Sequence, residues 1–183
     1  MQENTAKKED MGNENTLKLD AFQKQIDDIK VQLESLGKAI PENKLSMICF
    51  SGDLDKLLAS FIIATGAVAM GMDVVMFFTF WGTPVLRDKQ QKVGGKDLMG
   101  KMFGTMLPNG TGAVKLSKMN MGGMGTAMMK SLMKKKNVAT LEQMIEMAGE
   151  LGVKIYVCEM SMDLMGFKRE EMIKYPDLEF CGV

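Results

Sequence analysis

The stretch from residue 45 to residue 80 constrains this chain most. LSMICFSG (45–52) is a short apolar run closed by Ser-Gly, the pattern of a buried strand. DLDKLLASFIIATGAVAMG (53–71) follows with helical character, its Asp53 and Asp55 in the first turn, where the helix dipole favours negative charge. Gly71 ends it, and DVVMFFTF (73–80) is rich in β-branched and aromatic residues, as a second strand requires. A strand, a helix and a strand at this spacing imply a parallel pair with a right-handed crossover. The theme returns near the end of the chain. ATLEQMIEMAGELG (139–152) predicts a helix, VKIYVC (153–158) a strand, FKREEMIKY (167–175) a short helix and LEFCGV (178–183) a last strand. This alternation predicts an α/β domain with a mostly parallel open sheet, starting near Lys44 and running to Val183. A membrane span is the rival reading, since residues 57–81 carry a single charge, Asp73. A central aspartate costs about 2.5–3.5 kcal/mol on insertion, and the Gly-Met-Asp break fits helix-then-strand better.

Residues 1–16 are polar throughout, predicting a disordered tail without the apolar core of a signal peptide, so a cytoplasmic protein is expected. Residues 17–40 form a heptad pattern, Leu19, Phe22, Ile26, Ile29, Leu33, Leu36 and Ile40, ended by Pro41. It predicts a helix that either packs on its own domain or joins copies of the chain, and its narrow apolar stripe favours the second.

The 183 residues include no histidine. Histidine-based triads, HExxH metal sites and imidazole proton shuttles are therefore excluded, and chemistry falls to cysteine, lysine, carboxylates or tyrosine. The three cysteines, Cys49, Cys158 and Cys181, form no CxxC pair and no metal-ligand spacing, so neither metal nor cofactor is expected. In an open α/β sheet, ligands gather at the carboxyl ends of the strands. Cys158 closes a strand and precedes a loop, EMSMDLMG, and is thus the candidate nucleophile. Cys49 and Cys181 lie inside strands and are expected to be buried and inert. Thiolate formation at Cys158 needs cations or N–H donors nearby. The loop 159–166 and the lysines of the insert below can supply them, while Glu159 opposes ionisation if it points inward. Ser51, Gly52 and Asp53 end the first strand at the same edge and offer donors to an anion, although one glycine without a following Lys-Ser is a poor phosphate loop.

Between Arg87 and Lys136 the composition changes. Eleven lysines and arginines against two acids make this insert +9, and the neutral chain carries −9 elsewhere. Nine methionines are interleaved with glycine, and NMGGMGTAMMKSLMKKK (120–136) predicts an amphipathic helix with a cationic end. These methionines either pack the insert onto the sheet edge or form a lid, a docking surface for an acidic partner, or a membrane-surface patch. Nucleic acid is not expected, because Phe103 is the single aromatic among these charges.

Together, residues 51–82, the Met/Gly/Lys insert and CEMSMDLMG (158–166) resemble the DsrE/DsrF-like family, in a branch often labelled peroxiredoxin or sulfurtransferase. The resemblance covers about Lys44 to Val183. It implies a flavodoxin-like three-layer α/β/α domain, assembled as a homo-oligomer, and a sulfur-relay activity. In that activity a cysteine carries a persulfide received from a low-molecular-weight sulfane-sulfur donor and passes it to a small carrier protein. The family's cysteine in C-x-M-S-M-D-x-x-G corresponds to Cys158. Ser51, Gly52, Asp53, Glu159 and Ser161, at the same sheet edge, are the expected substrate-binding residues. The peroxiredoxin label finds no support, since neither CxxC nor PxxxTxxC is present. Relatives continue beyond CGV into a further helix, so a shortened form or a partner covering one sheet face is expected. Two other readings stand beside this one: a non-catalytic adaptor using the basic Met-rich face and the heptad helix, and a nucleotide-binding flavodoxin-like module.

Overall fold

The computed structural model describes residues 22–35, 37, 43–91, 94 and 98–182, with backbone only at 98 and 99. The tail 1–16, the seam positions Leu19, Leu36 and Ile40, Pro41, and Lys92, Lys96 and Asp97 of the insert lie outside these residues, as does the Met99 side chain. The chain divides into two units at Glu42/Asn43. In the first, residues 22–35 form helix α1, and its seam residues Phe22, Ile26, Ile29 and Leu33 are all exposed.

The second unit is an α/β domain. Its elements are β1 (Lys44–Cys49), α2 (Leu54–Ala69), β2 (Asp73–Phe78), α3 (Leu98–Met106), α4 (Met124–Lys135), α5 (Leu141–Glu150), β3 (Lys154–Cys158), α6 (Glu159–Met165) and β4 (Leu178–Cys181). The four strands make one parallel sheet in the order β1-β2-β3-β4, the expected flavodoxin-like α/β class. No helix among the described residues is long and apolar enough to cross a membrane.

Strand alternation explains where the core lies. Residues two apart share a face of the sheet, and the rows Met47–Met76–Ile155–Leu178 and Cys49–Phe78–Val157–Phe180 follow from the register. Met76, Phe78, Ile155 and Val157 are fully buried. Leu54, Leu57, Phe61, Ala64 and Ala67, one stripe of α2, pack onto this face, with the Phe61 and Phe78 ring centroids 6.2 Å apart. Helix α5 adds Leu141, Met144, Ile145 and Ala148, and it starts at a capping box in which Thr140 and Gln143 satisfy each other's backbone N–H groups. On the opposite face Ser46, Ile48 and Glu179 are exposed, and Val75, Phe77 and Tyr156 are half-buried. Fully burying aliphatic and aromatic side chains such as those of the first face contributes about 1.5–3 kcal/mol each.

Residues 79–153 connect β2 to β3 and hold the insert. Asp55, in the first turn of α2, accepts hydrogen bonds from the Ser117 N–H (2.8 Å) and hydroxyl (2.6 Å), and the Leu54 N–H donates to the Lys115 carbonyl (2.8 Å). The insert is thereby fastened to the helix. Helix α4 matches the expected amphipathic segment, and α3 is an additional element. Met102, Met106, Met119, Met121, Met124, Met128 and Met129 are exposed, whereas Met133 is buried.

Arg87, counted above with the basic insert, does not belong to a solvated cationic face. It is buried against Glu171 at 3.3 Å, its guanidinium 4.6 Å from the centroid of the Phe167 ring. The Ile173 N–H donates to the Leu86 carbonyl and the Asp88 N–H to that of Glu171, so this pair ties the start of the insert to the C-terminal segment. The expected helix at 167–175 is replaced by this bridge and a single 3-10 turn, Arg169–Glu171.

Candidate functional site

Cys158 ends β3 and is the N-cap of α6. The segment expected to be a loop is this short helix: EMSMDLM is built of good helix formers, and Gly166 stops it in the left-handed region at φ 64°. First-turn N–H groups have no partner within a helix and point back over the preceding residue. The Cys158 thiol has no accessible surface. Burial pushes its pKa up, but the Ser161 hydroxyl and N–H, the Thr79 hydroxyl and the Met160 N–H bond the sulfur and together bring it below the ordinary thiol value. Donors of this kind stabilise the thiolate directly, with no imidazole needed.

Ser161 is wholly buried and central to the arrangement. Its Oγ lies 2.8 Å from Thr79 Oγ1 and accepts a hydrogen bond from the Phe80 N–H at 3.0 Å. Thr79 is the residue that sequence reasoning missed. Its signal was present: it follows the last residue of β2 at the carboxyl edge, beside the strand that carries Cys158. Phe80 has φ 43°, a left-handed conformation that a bulky residue adopts at a cost of about 1–3 kcal/mol. The hydrogen bond to Ser161 holds the strained N–H in place. Behind it, Gly82 and Gly52 allow backbones to approach: a Cβ at Gly82 would collide with the Cys49 carbonyl, and one at Gly52 would lie 2.6 Å from the carbonyl of Trp81.

The residues singled out from the sequence divide into three places. Ser161 joins Cys158. Ser51, Gly52 and Asp53 instead line a cavity of about 680 Å³ with Phe50, Lys56 and Trp81, and Cys158 does not line it. The polar groups there are engaged with one another: the Ser51 hydroxyl donates to Asp53 (2.8 Å), the Lys56 ammonium donates to the same oxygen (2.7 Å), and the Asp53 N–H donates to Ser51 Oγ (3.3 Å). Trp81 lines this cavity two residues after Thr79, so the two places adjoin along the chain. Glu159 pairs with Arg169 at the surface, so the carboxylate next to Cys158 is neutralised rather than turned inward.

The remaining thiols differ. Cys49 is buried as expected, and burial raises its pKa to about 11 despite a hydrogen bond from Ser60. Cys181 departs from expectation. It is half-exposed, because β4 is an edge strand, and it is the register partner of Cys158. Among the described residues no cluster of three carboxylates or cysteines is placed to hold a metal ion.

The family model of the DsrE/DsrF/DrsH-like proteins matches residues 41–183. The chain belongs to this family. Among curated relatives, it is 46% identical over 140 residues to YrkE of Bacillus subtilis, a protein of uncharacterised function, covering 76% of this chain and 86% of that one. It is 35% identical over 153 residues to the sulfur carrier protein DsrE2 of Allochromatium vinosum, covering 77% of this chain and 88% of that one. The family assignment agrees with the resemblance read from residues 51–82 and 158–166.

Proposed function

We propose that this protein is a sulfur carrier in which Cys158 takes up sulfane sulfur as a persulfide and yields it to a partner. The observation that carries the reading is the place of Cys158: buried at the end of β3, at the N-cap of α6, and close to the bonded Thr79–Ser161 hydroxyl pair, in a chain without histidine. Similarity to a sulfur carrier protein supports the same chemistry. In the proposed cycle the Cys158 thiolate attacks the sulfane sulfur of a low-molecular-weight donor and becomes Cys–S–S⁻ as the donor's leaving group departs. An incoming thiolate of a small carrier protein then attacks the outer sulfur and releases the Cys158 thiolate. A thiol without accessible surface is reached only when its cover moves, which keeps water and stray oxidants from the loaded sulfur.

The exposed methionines and lysines of the insert support a contact surface for an acidic partner. The exposed seam of α1 supports self-association into a homo-oligomer. The adaptor reading draws on the same methionine face and differs in leaving Cys158 unreactive.

The test is intact mass spectrometry after incubation with thiosulfate, polysulfide or glutathione persulfide. A reductant-reversible gain of about 32 Da, lost in Cys158→Ser, is expected. No gain with any donor would reject the carrier reading in favour of the adaptor.

A further inference from the structure

Cys181 is the last residue of the edge strand β4, directly across the ladder from Cys158. Register partners on neighbouring parallel strands project to the same face, and their strands lie about 4.8 Å apart. That separation falls within the Cα–Cα range a disulfide accepts, about 4.4–6.8 Å. Both thiols are free, and they are close enough for charge on one to oppose ionisation of the other. Their surroundings are unequal. Cys158 is sealed and surrounded by donors, whereas Cys181 is partly exposed and has Glu179 as a further opposing charge. Burial is the largest influence that holds Cys181 protonated, and the charge on Cys158 adds to it; a mixed disulfide on Cys158 removes that charge.

We propose that Cys181 is a resolving thiol: when a second sulfur sits on Cys158, the Cys181 thiolate attacks Cys158 Sγ, closes a Cys158–Cys181 disulfide and expels the outer sulfur. In the persulfide case, which rests on the sulfur-carrier reading, the bond between Sγ and the outer sulfur breaks with its electron pair. The outer sulfur takes up the proton that Cys181 gave up and leaves as HS⁻. It is reduced by two electrons, and the two cysteines are oxidised by the same two. In the mixed-disulfide case the leaving group is the small thiolate, and the carrier reading is not needed. Two equivalents of a low-molecular-weight thiol reopen the pair and depart as their own disulfide. The consequence is a second outcome for loaded sulfur: transfer if an acceptor is present, release as sulfide if none arrives.

The experiment uses the full chain carrying Cys49→Ala, treated with one equivalent of the aromatic disulfide dithiobis(nitrobenzoate). Expected are two thionitrobenzoate anions per chain and a product about 2 Da lighter than the reduced protein, with Cys158 and Cys181 linked in one peptide pair. Adding Cys181→Ser should stop the reaction at one anion with the adduct retained on Cys158. A stable adduct in the protein bearing both cysteines, or no reaction of either under native conditions, overturns the proposal. A second arm loads polysulfide, removes the excess and follows sulfide. Release should be at least about tenfold faster with Cys181 than with Cys181→Ser, as an intramolecular step allows, and equal rates overturn the persulfide step. Disulfide closure with the aromatic reagent but no sulfur gain from polysulfide would reject the carrier reading while leaving the resolving role intact.

Discussion

Ser161→Ala separates two consequences of a single hydroxyl. Ser161 is fully buried, and its Oγ both accepts from the strained Phe80 N–H and donates toward the Cys158 sulfur. Removing it leaves the Phe80 N–H without its partner, at a cost of about 1–3 kcal/mol for a buried donor. For a chain of this size that corresponds to a melting temperature lower by about 2–12 °C. The second effect falls on the thiolate. A hydrogen bond to an ionised group is worth about 1.5–3 kcal/mol, so even its lower limit reduces the thiolate population at fixed pH by about tenfold. The assay is the rate of Cys158 alkylation by iodoacetamide between pH 5 and 10, with Cys49→Ala and Cys181→Ser in the background and a thermal melt alongside. The profile should be displaced toward alkaline pH, with a plateau up to a few-fold higher because the more basic thiolate is the better nucleophile. An undisplaced profile, or one displaced toward acid, would refute the claim that Ser161 stabilises the thiolate, whatever the melt shows.

Three further outcomes are expected. Glu171→Gln leaves the buried Arg87 charge without its ionic partner and should cost up to about 3–5 kcal/mol in urea unfolding, whereas Arg87→Met with Glu171→Leu should recover most of that loss. Cys49, with its folded pKa raised to about 11, contributes stability fully present below the ordinary thiol value of 9.0 and lost as pH rises through that interval. Wild type should therefore lose about 2–3 kcal/mol more than Cys49→Ala between pH 9 and 11, by urea titration at each pH. Cys158, held low, acts in the opposite sense, gaining stability as pH rises toward 9.0. Finally, Ile26→Asp with Ile29→Asp should lower the sedimentation-derived mass if the α1 seam joins copies of the chain, and an unchanged mass would remove that role from α1.

The β1-α2-β2 unit was legible because each of its signals is local: an apolar run, first-turn acids, Gly71, then a β-branched run. Helix α5 was legible for the same reason. Four features were not. The 159–166 segment has polar positions that suit a loop equally well, and the helix is decided by Gly166 and by burial of Ser161, Met162 and Met165. Thr79 and Ser161 are 82 positions apart, and only the strand register brings them together. Hydrophobic alternation tells which face a residue occupies but not which strand lies next to it. That is also why Cys181 passed for an inert core thiol, and why Arg87 was counted with solvated lysines although its partner lies 84 positions away. The place of Cys158 at the end of β3 was legible, since the apolar run VKIYVC stops there.

The long connection between β2 and β3 bears on the order in which the molecule assembles. Strands β1 and β2 with α2 can meet as soon as residues 44–78 have been synthesised, whereas β3 must find β2 across residues 79–153. Closing a loop carries an entropic cost that rises with its length, and non-local strand pairing is slow. The hydroxyl of Thr79 is therefore made early and waits for Ser161, which comes from the far side of that closure. Until the sheet is complete, the Cys158 sulfur lacks the Thr79 hydroxyl, although the Ser161 and Met160 groups follow it directly in the chain. The complete set of donors around Cys158 therefore exists only after residues 79–153 have closed the sheet.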